Sequence, residues 1–487
     1  MRSNMDASPA DMPITAPLVG HVYSHADKMR VLSGILTCIL LAALDQTVVL
    51  PALPEMANSL HSGAHISWVV SAYLLTTTAT TPIYGKLSDQ LGRREVLVPA
   101  IILFLLACVF CALADSVPML ILGRAFQGIG GGALLSVSQS AIADVIPPRE
   151  RGKYQGWLAG VWAISSVAGP IAGGFVVQHL SWRWIFWANL PLGLIALVQC
   201  VRGLGFLAPS GRRSEIDYAG AGLLLLSVTA LLAALSLGGV DFPWVSWPIF
   251  GGFVLSLVLF GLLSTQQRLA AEPLFPPSLL RTKGFFQINF IAFLNSGAMF
   301  GAIFLLPLLL QELLHANPAA SGLEIMPFLF STTVGAFTCG QMAKRSGKTR
   351  NIMVVSLASG AAMFLLMAAL PLNSGVLGFA TVSGLFGLGI GGVMPTSIVT
   401  AQSQASQRDV GTATGILLLL RSMGGAFGAT IAGAVLAYTA DNLLNGFRLG
   451  FFLCAVMMLV AAITAFRMEN TLLRNTLHTA PPAELET

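Results

Sequence analysis

Two ionisable residues sit where water is scarce. Asp45 falls inside an apolar stretch near 31–53, and Arg124 inside another near 118–143. An ionised carboxylate in a hydrocarbon layer costs roughly 2.5–3.5 kcal/mol on insertion scales, so Asp45 must pair, hydrate or take up a proton. Arg124 stays charged and must itself find an acceptor, which makes it the candidate partner. A carboxyl whose cationic partner comes and goes with conformation loads and releases protons. The same two residues also suit a fixed structural pair, or separate bonds to backbone carbonyls. Gln127 lies three residues beyond Arg124, on the same helical face. Together with Gln46 and Arg421, a second cation within an apolar stretch, it is expected to line a substrate cavity. Arg421 equally suits snorkelling or pairing near an interface.

Other chemistries find no constellation. The stretch Gly347, Lys348, Thr349 has Met342 where a phosphate-cradling loop needs its first Gly. Gly387, Gly389 and Gly392 match a dinucleotide fingerprint but lie inside an apolar stretch, where close helix packing explains them. Cys108 and Cys111 are spaced as a redox pair, yet their surroundings are apolar and they read as small packing residues. His61 and His65 lack the Glu of a zinc-hydrolase motif, so no metal site is expected. No clustered nucleophile and base marks an enzyme.

The elements that hold these residues are membrane spans. The chain of 487 residues is 55% hydrophobic and only 10% charged, against about 25% charged in soluble domains. Its mean hydropathy is +0.78. Apolar windows long enough to cross a bilayer fall near 31–53, 66–86, 96–114, 118–143, 156–178, 183–201, 216–238 and 246–264. They continue near 285–311, 320–341, 351–371, 376–400, 413–437 and 445–467. That gives about fourteen spans. Basic residues gather in every second gap, as at Lys86, Arg93 and Arg94, at Arg149, Arg151 and Lys153, at Arg212 and Arg213, and at Lys344, Arg345, Lys348 and Arg350. Arg183 and Arg448 are the exceptions. This positive-inside pattern places both termini in the cytoplasm. The first 30 residues do not read as a signal peptide, so the first span is expected to remain. The net charge of +5 is scattered over loop ends, which suits anionic lipid headgroups and not nucleic acid.

The chain repeats itself. The stretch from Gly85 to Arg94 is echoed by Gly340 to Lys348, and Gly128 to Gly131 by Gly389 to Gly392. An all-α polytopic fold follows: a tail at 1–30, a six-helix bundle at 31–203, an inserted transmembrane hairpin with linkers at 204–283, a second six-helix bundle at 284–467 and a tail at 468–487. Two bundles related by a parallel repeat place a cavity at their interface. Gly85, Asp89, Gly92, Arg93 and Arg94 suit a cytoplasmic gate, because an Asp at a helix end can cap a neighbouring helix and meet basic side chains as bundles rock. Topology alone also explains the Arg residues. Gly169, Pro170, Gly173 and Gly174 suit a bending helix that allows close backbone approach. The comparable stretch from Gly424 to Gly428 lacks the Pro, so such a hinge is one-sided.

In combination and order, several motifs carry a family resemblance. Leu44-Asp45-Gln46-Thr47-Val48-Val49, then Ala52-Leu53-Pro54, lies in the first span. Gly85 to Arg94 lies between the second and third, with Gln90 where a basic residue is usual. Arg124-Ala125-Phe126-Gln127-Gly128 lies in the fourth, and Ala168-Gly169-Pro170-Ile171-Ala172-Gly173-Gly174 in the fifth. Trp182 to Phe186 and Asn189 to Gly193 follow. By these motifs the chain resembles the fourteen-span drug:proton antiporters of the major facilitator superfamily, the EmrB/QacA type. The resemblance implies alternating-access export of lipophilic, often cationic compounds across the cytoplasmic (inner) membrane, driven by the proton gradient with no cofactor. Export direction comes from the fifth-span motif alone. The resemblance also implies a monomer, with a periplasmic adaptor as an optional partner. A narrow-specificity metabolite exporter stands as the alternative, and a membrane receptor or enzyme as the remoter one.

Overall fold

A computed structural model describes residues 24–60, 64–206, 216–239, 241–315, 326–470 and 472–473. His61, Arg212, Arg213 and most of both tails lie outside the described residues. The chain is helical almost throughout, since a backbone in hydrocarbon must pair its own N–H and C=O groups. The first half holds α1 (His25–Val48), α2 (Trp68–Leu91), α3 (Arg93–Ala112), α4 (Val117–Val145), α5 (Pro148–His179) and α6 (Trp184–Gly203). Next come α7 (Tyr218–Leu237) and α8 (Trp247–Leu269). The second half holds α9 (Lys283–Glu312), α10 (Met326–Ser346), α11 (Arg350–Ala369), α12 (Gly375–Gly391), α13 (Val393–Gln404), α14 (Val410–Tyr438) and α15 (Leu443–Phe466).

Local sequence sets the helix ends. α1 starts in a capping box in which Ser24 Oγ accepts from Asp27 N at 3.2 Å and the Asp27 carboxylate accepts from Ser24 N at 3.3 Å. It gives way near Pro51 to a 3-10 turn at Leu50–Ala52 and a short helix at Leu53–Ser59. Gly92, at φ 108°, is the single residue between the end of α2 and the start of α3. The window near 376–400 forms two helices, interrupted at Gly392.

Twelve helical segments among the described residues are long and apolar enough to cross a membrane. α2 and α10 are not among them, and they account for the difference from about fourteen. Both carry Thr and Ser on buried or half-buried positions, including Thr77, Thr78, Thr80 and Thr81 on α2 and Ser331 on α10, which lowers their hydropathy.

Two separate cores define two bundles. Leu32, Ile35, Phe104, Val137 and Ile142 belong to the first, and Ile288, Phe364, Phe386 and Phe451 to the second. The bundles meet where α2 packs on α14 and α5 packs on α10. These pairs occupy equivalent positions in the two halves, as the sequence echo requires. α7 pairs with α8 and lies against α2 and α14, filling a cluster that includes Leu75, Val228, Leu232 and Leu419. Asp217 ties the pair together: it caps α7 at Gly220 N (2.8 Å) and accepts from Gln266 and Gln267 Nε2 on α8, both at 3.0 Å. The outer face of α8 exposes Trp247, Phe250 and Leu257, side chains suited to lipid.

Candidate functional site

Asp45 is fully buried at the end of α1 and accepts three hydrogen bonds. Arg124 Nη1 from α4 lies 2.6 Å from Oδ2, while Gln127 Nε2 and Asn189 Nδ2 reach Oδ1 at 2.7 and 2.8 Å. Arg124, 1% exposed, spreads its remaining donors. Nη1 also reaches Gln127 Oε1 at 2.6 Å, Nε reaches the Val69 carbonyl at 3.2 Å, and the guanidinium carbon stands 4.2 Å over the Tyr73 ring. Charge-assisted bonds of this kind are roughly twice as strong as neutral ones. The cluster therefore suits an ionised Asp45 and binds α1, α2, α4 and α6 into one unit. Cys108 joins it, its sulfur accepting from Gln127 Nε2 at 3.1 Å.

Gln127 thus lies in this buried network, fully enclosed, and is not among the described residues that line the cavity. Helical spacing gave its face but not the neighbour that covers the face. Asn189 and Tyr73 were not singled out from sequence as site residues. Neutral polar groups in apolar spans are common, and the only signal was Asn189 within its motif.

Between the bundles lies a cavity of about 770 Å³. Gln46 from α1, Thr77 from α2, Trp162 from α5, Asn295 from α9, Thr332 from α10 and Arg421 from α14 are on its wall. Its size falls within the range of small-molecule pockets, roughly 300–1,000 Å³.

At the end that carries the basic turns, here the basic end, two seams bring the bundles together. Asp89 on α2 accepts from Gly411 N at 2.8 Å, Thr412 N at 2.7 Å and Thr412 Oγ1 at 2.9 Å. A carboxylate of one bundle thereby caps the first turn of α14 in the other. Arg93 holds it from behind, with Nη1 at 2.7 Å from Asp89 Oδ1 and Nε at 2.7 Å from Asp144 Oδ2. Gly85 faces Gly411 so closely that a Cβ on either would strike the other's carbonyl oxygen. Gly92 supplies the turn, whereas Arg94 is exposed, outside these contacts. Gln90 Nε2 donates to Glu272 at 3.0 Å, docking the connection after α8 onto α2.

The second seam reverses the chemistry. Lys344 stands at the position that echoes Asp89 and cannot cap a helix N-terminus. Instead Arg149, at the start of α5, donates to the carbonyls of Lys344 (2.8 Å) and Arg345 (3.0 Å) at the end of α10. A Cβ on Gly152 would come within 2.7 Å of the Gly340 oxygen, so α5 and α10 also meet backbone to backbone. The cavity begins beyond these seams and extends along α14 to Gly433 and Ala437, toward the opposite end.

α5 runs unbroken through Pro170. Gly169 and Gly173 face α1: a Cβ at Gly169 would collide with Thr47, and one at Gly173 with Val48 O and Pro51. Thr47 Oγ1 donates to Ser165 O at 2.9 Å in the same contact. Gly174 has open space around it, so only two of the three glycines serve this approach.

Two helical bundles around a central cavity, joined at one end by polar seams, define a membrane transporter and not an enzyme. The chain belongs to the Major Facilitator Superfamily, whose family model matches residues 35–280 and 288–484. It is similar to the multidrug transporter protein MdtP of Bacillus subtilis, 35% identical over 418 residues, covering 86% of this chain and 77% of that one. Multidrug resistance protein 3 of the same organism is 31% identical over 422 residues, covering 86% and 82%. In fold the chain resembles the proton:xylose symporter XylE, with a TM-score of 0.63 at 14% identity over 91% of this chain and 96% of that one.

Proposed function

We propose that this chain exports lipophilic, drug-sized compounds in exchange for protons, by alternating access of the central cavity. Its similarity to two multidrug transporters supports the substrate class. The observation that carries the coupling is that α2 touches three things at once. Val69 and Tyr73 hold Arg124, Thr77 and Thr78 line the cavity, and Asp89 caps α14. About 24 Å of continuous helix separates Tyr73 from Asp89 at 1.5 Å per residue.

While Asp45 is ionised, Arg124 is held and α2 stays docked on both bundles. Proton uptake by Asp45 removes the charge that Arg124 pairs with, and leaving that buried guanidinium uncompensated costs about 3–5 kcal/mol. Arg124 then shifts, α2 moves with it, and the Asp89 cap on α14 parts. The bundles rock, sealing the opposite end and opening the basic end. In this scheme the basic end is cytoplasmic, the membrane is the inner one, and α2 and α10 complete fourteen crossings with α7 and α8 as an inserted pair, as in the EmrB/QacA type. The protein acts as a monomer, and no cofactor enters.

Uptake of a panel of lipophilic dyes, anionic and neutral as well as the cation ethidium, into everted vesicles tests the function. The expected outcome is uptake by wild type that both an uncoupler and Asp45→Asn abolish. Uptake indifferent to the uncoupler would remove proton coupling, and failure to move any dye would favour a narrow metabolite exporter.

A further inference from the structure

The cavity wall is chemically lopsided. Among its described residues Arg421 is the only charged side chain; no Asp, Glu, Lys or His lines it. Arg421 Nη1 is buried without a hydrogen-bond partner in the protein, and so is Asn295 Oδ1 on the neighbouring α9. These are exceptions to a strong rule, because buried polar groups are nearly always paired and a buried charged donor left alone is costly. Both atoms belong to residues of the wall of one cavity, and α9 packs directly on α14. Arg421 lies eleven residues beyond Val410, roughly 16 Å along the helix from the seam that seals the basic end. It therefore stands at mid-depth, too far along to snorkel to that end. Much of the remaining wall is apolar, with Leu74, Met299 and Phe300 among its side chains.

We propose that Arg421 anchors the anionic group of amphipathic organic acids in this cavity, with Asn295 of the same wall accepting from a donor on the same ligand and the apolar wall taking the body. A carboxylate or acidic phenol supplies the acceptor geometry that a guanidinium fork prefers. A cationic compound meets a like charge and no carboxylate on the wall. The preferred cargo is thus monoanionic and lipophilic, opposite in charge to the cations expected from the sequence resemblance. This assignment rests on the exporter function proposed above and names its substrate class.

Three probes sharing one aromatic body test it: pyrenebutyrate, its methyl ester and pyrenebutylamine. Their binding to the purified full-length protein is measured by fluorescence, and their transport in proteoliposomes in parallel. Wild type is expected to prefer the acid over both relatives by about tenfold or more, the scale of a hydrogen bond to a charged group. Arg421→Gln should erase that preference, and Arg421→Lys should keep part of it. Equal binding of acid and ester by wild type overturns the assignment, and this comparison does not depend on any variant folding. A preference for the acid that survives in folded Arg421→Gln overturns it too. If wild type binds the acid in detergent but moves none of the probes, the exporter function fails and the subsite stands. If it moves ester and amine at the same rate as the acid, the subsite fails and the exporter stands.

Discussion

Asp45 Oδ2 and Arg124 Nη1 lie 2.6 Å apart with both side chains sealed from solvent, yet the two residues come from different helices that also contact the rest of the machinery. Breaking one partner of such a pair costs about 3–5 kcal/mol, because the survivor stays buried and charged. Asp45→Asn and Arg124→Gln should therefore each lower thermal stability clearly, and the double variant should recover much of the loss. All three should lack proton-driven transport. A double variant no more stable than the singles, in unfolding measured by intrinsic fluorescence, would show that the pair is not the source of the cost.

Arg124→Lys is expected to fail as a substitute. An ammonium cannot contact Asp45, Gln127 and the Val69 carbonyl in the fork geometry seen here, nor stack on Tyr73 in the same way. Transport should fall by at least about tenfold, with retained membrane expression, if each lost charge-assisted bond counts for about 1.5–3 kcal/mol. Wild-type transport by the Lys variant would mean that charge alone suffices.

Asp89→Ala removes three hydrogen bonds that join the bundles and leaves Arg93 with Asp144. Spin labels placed on either side of the basic end should report a broader and longer distance distribution than in wild type, and transport should drop. Arg94→Ala, at an exposed position outside the seam, should change neither. Identical distance distributions for wild type and Asp89→Ala would show that the cap does not hold the seam.

Gly169→Ala and Gly174→Ala separate packing from a general need for glycine. The first forces a methyl into Thr47 and should cost about 1–3 kcal/mol as overpacking does, with loss of transport. The second enters open space and should be silent or slightly stabilising, as Gly to Ala in a helix often is. Equal effects at both sites, by thermal unfolding and dye efflux, would contradict the close approach of α5 to the end of α1.

The physics of hydrocarbon made part of this legible from sequence. Asp45 and Arg124 stood out because charges are rare in apolar stretches, and the windows along the chain fall on the helices because apolar length dictates them. Asp89 was recognisable as a helix cap because acid, glycine and arginine fell together at a helix end. What sequence could not supply was the partner across space. Gln127 faces inward to Asp45 because α1 and α3 cover it, a fact of packing that spacing along α4 does not contain. At the second seam Lys344 stands where the echo of Asp89 falls, and Arg149 makes the contact from the other bundle instead, which only the neighbouring helix reveals. Arg421 was visible as a charge in a span, but its depth and its unpaired nitrogen depend on where α9 lies.

The most direct test of the central claim is simultaneous recording of substrate and proton movement in proteoliposomes of purified wild type and Asp45→Asn, using a pH-sensitive dye trapped inside. With a substrate gradient imposed and no proton gradient, wild type should drive protons in the opposite direction to substrate. Asp45→Asn should drive none, even if it still binds substrate. Proton movement by Asp45→Asn at the wild-type ratio, or substrate movement by wild type with no proton flux, would contradict Asp45 as the coupling site.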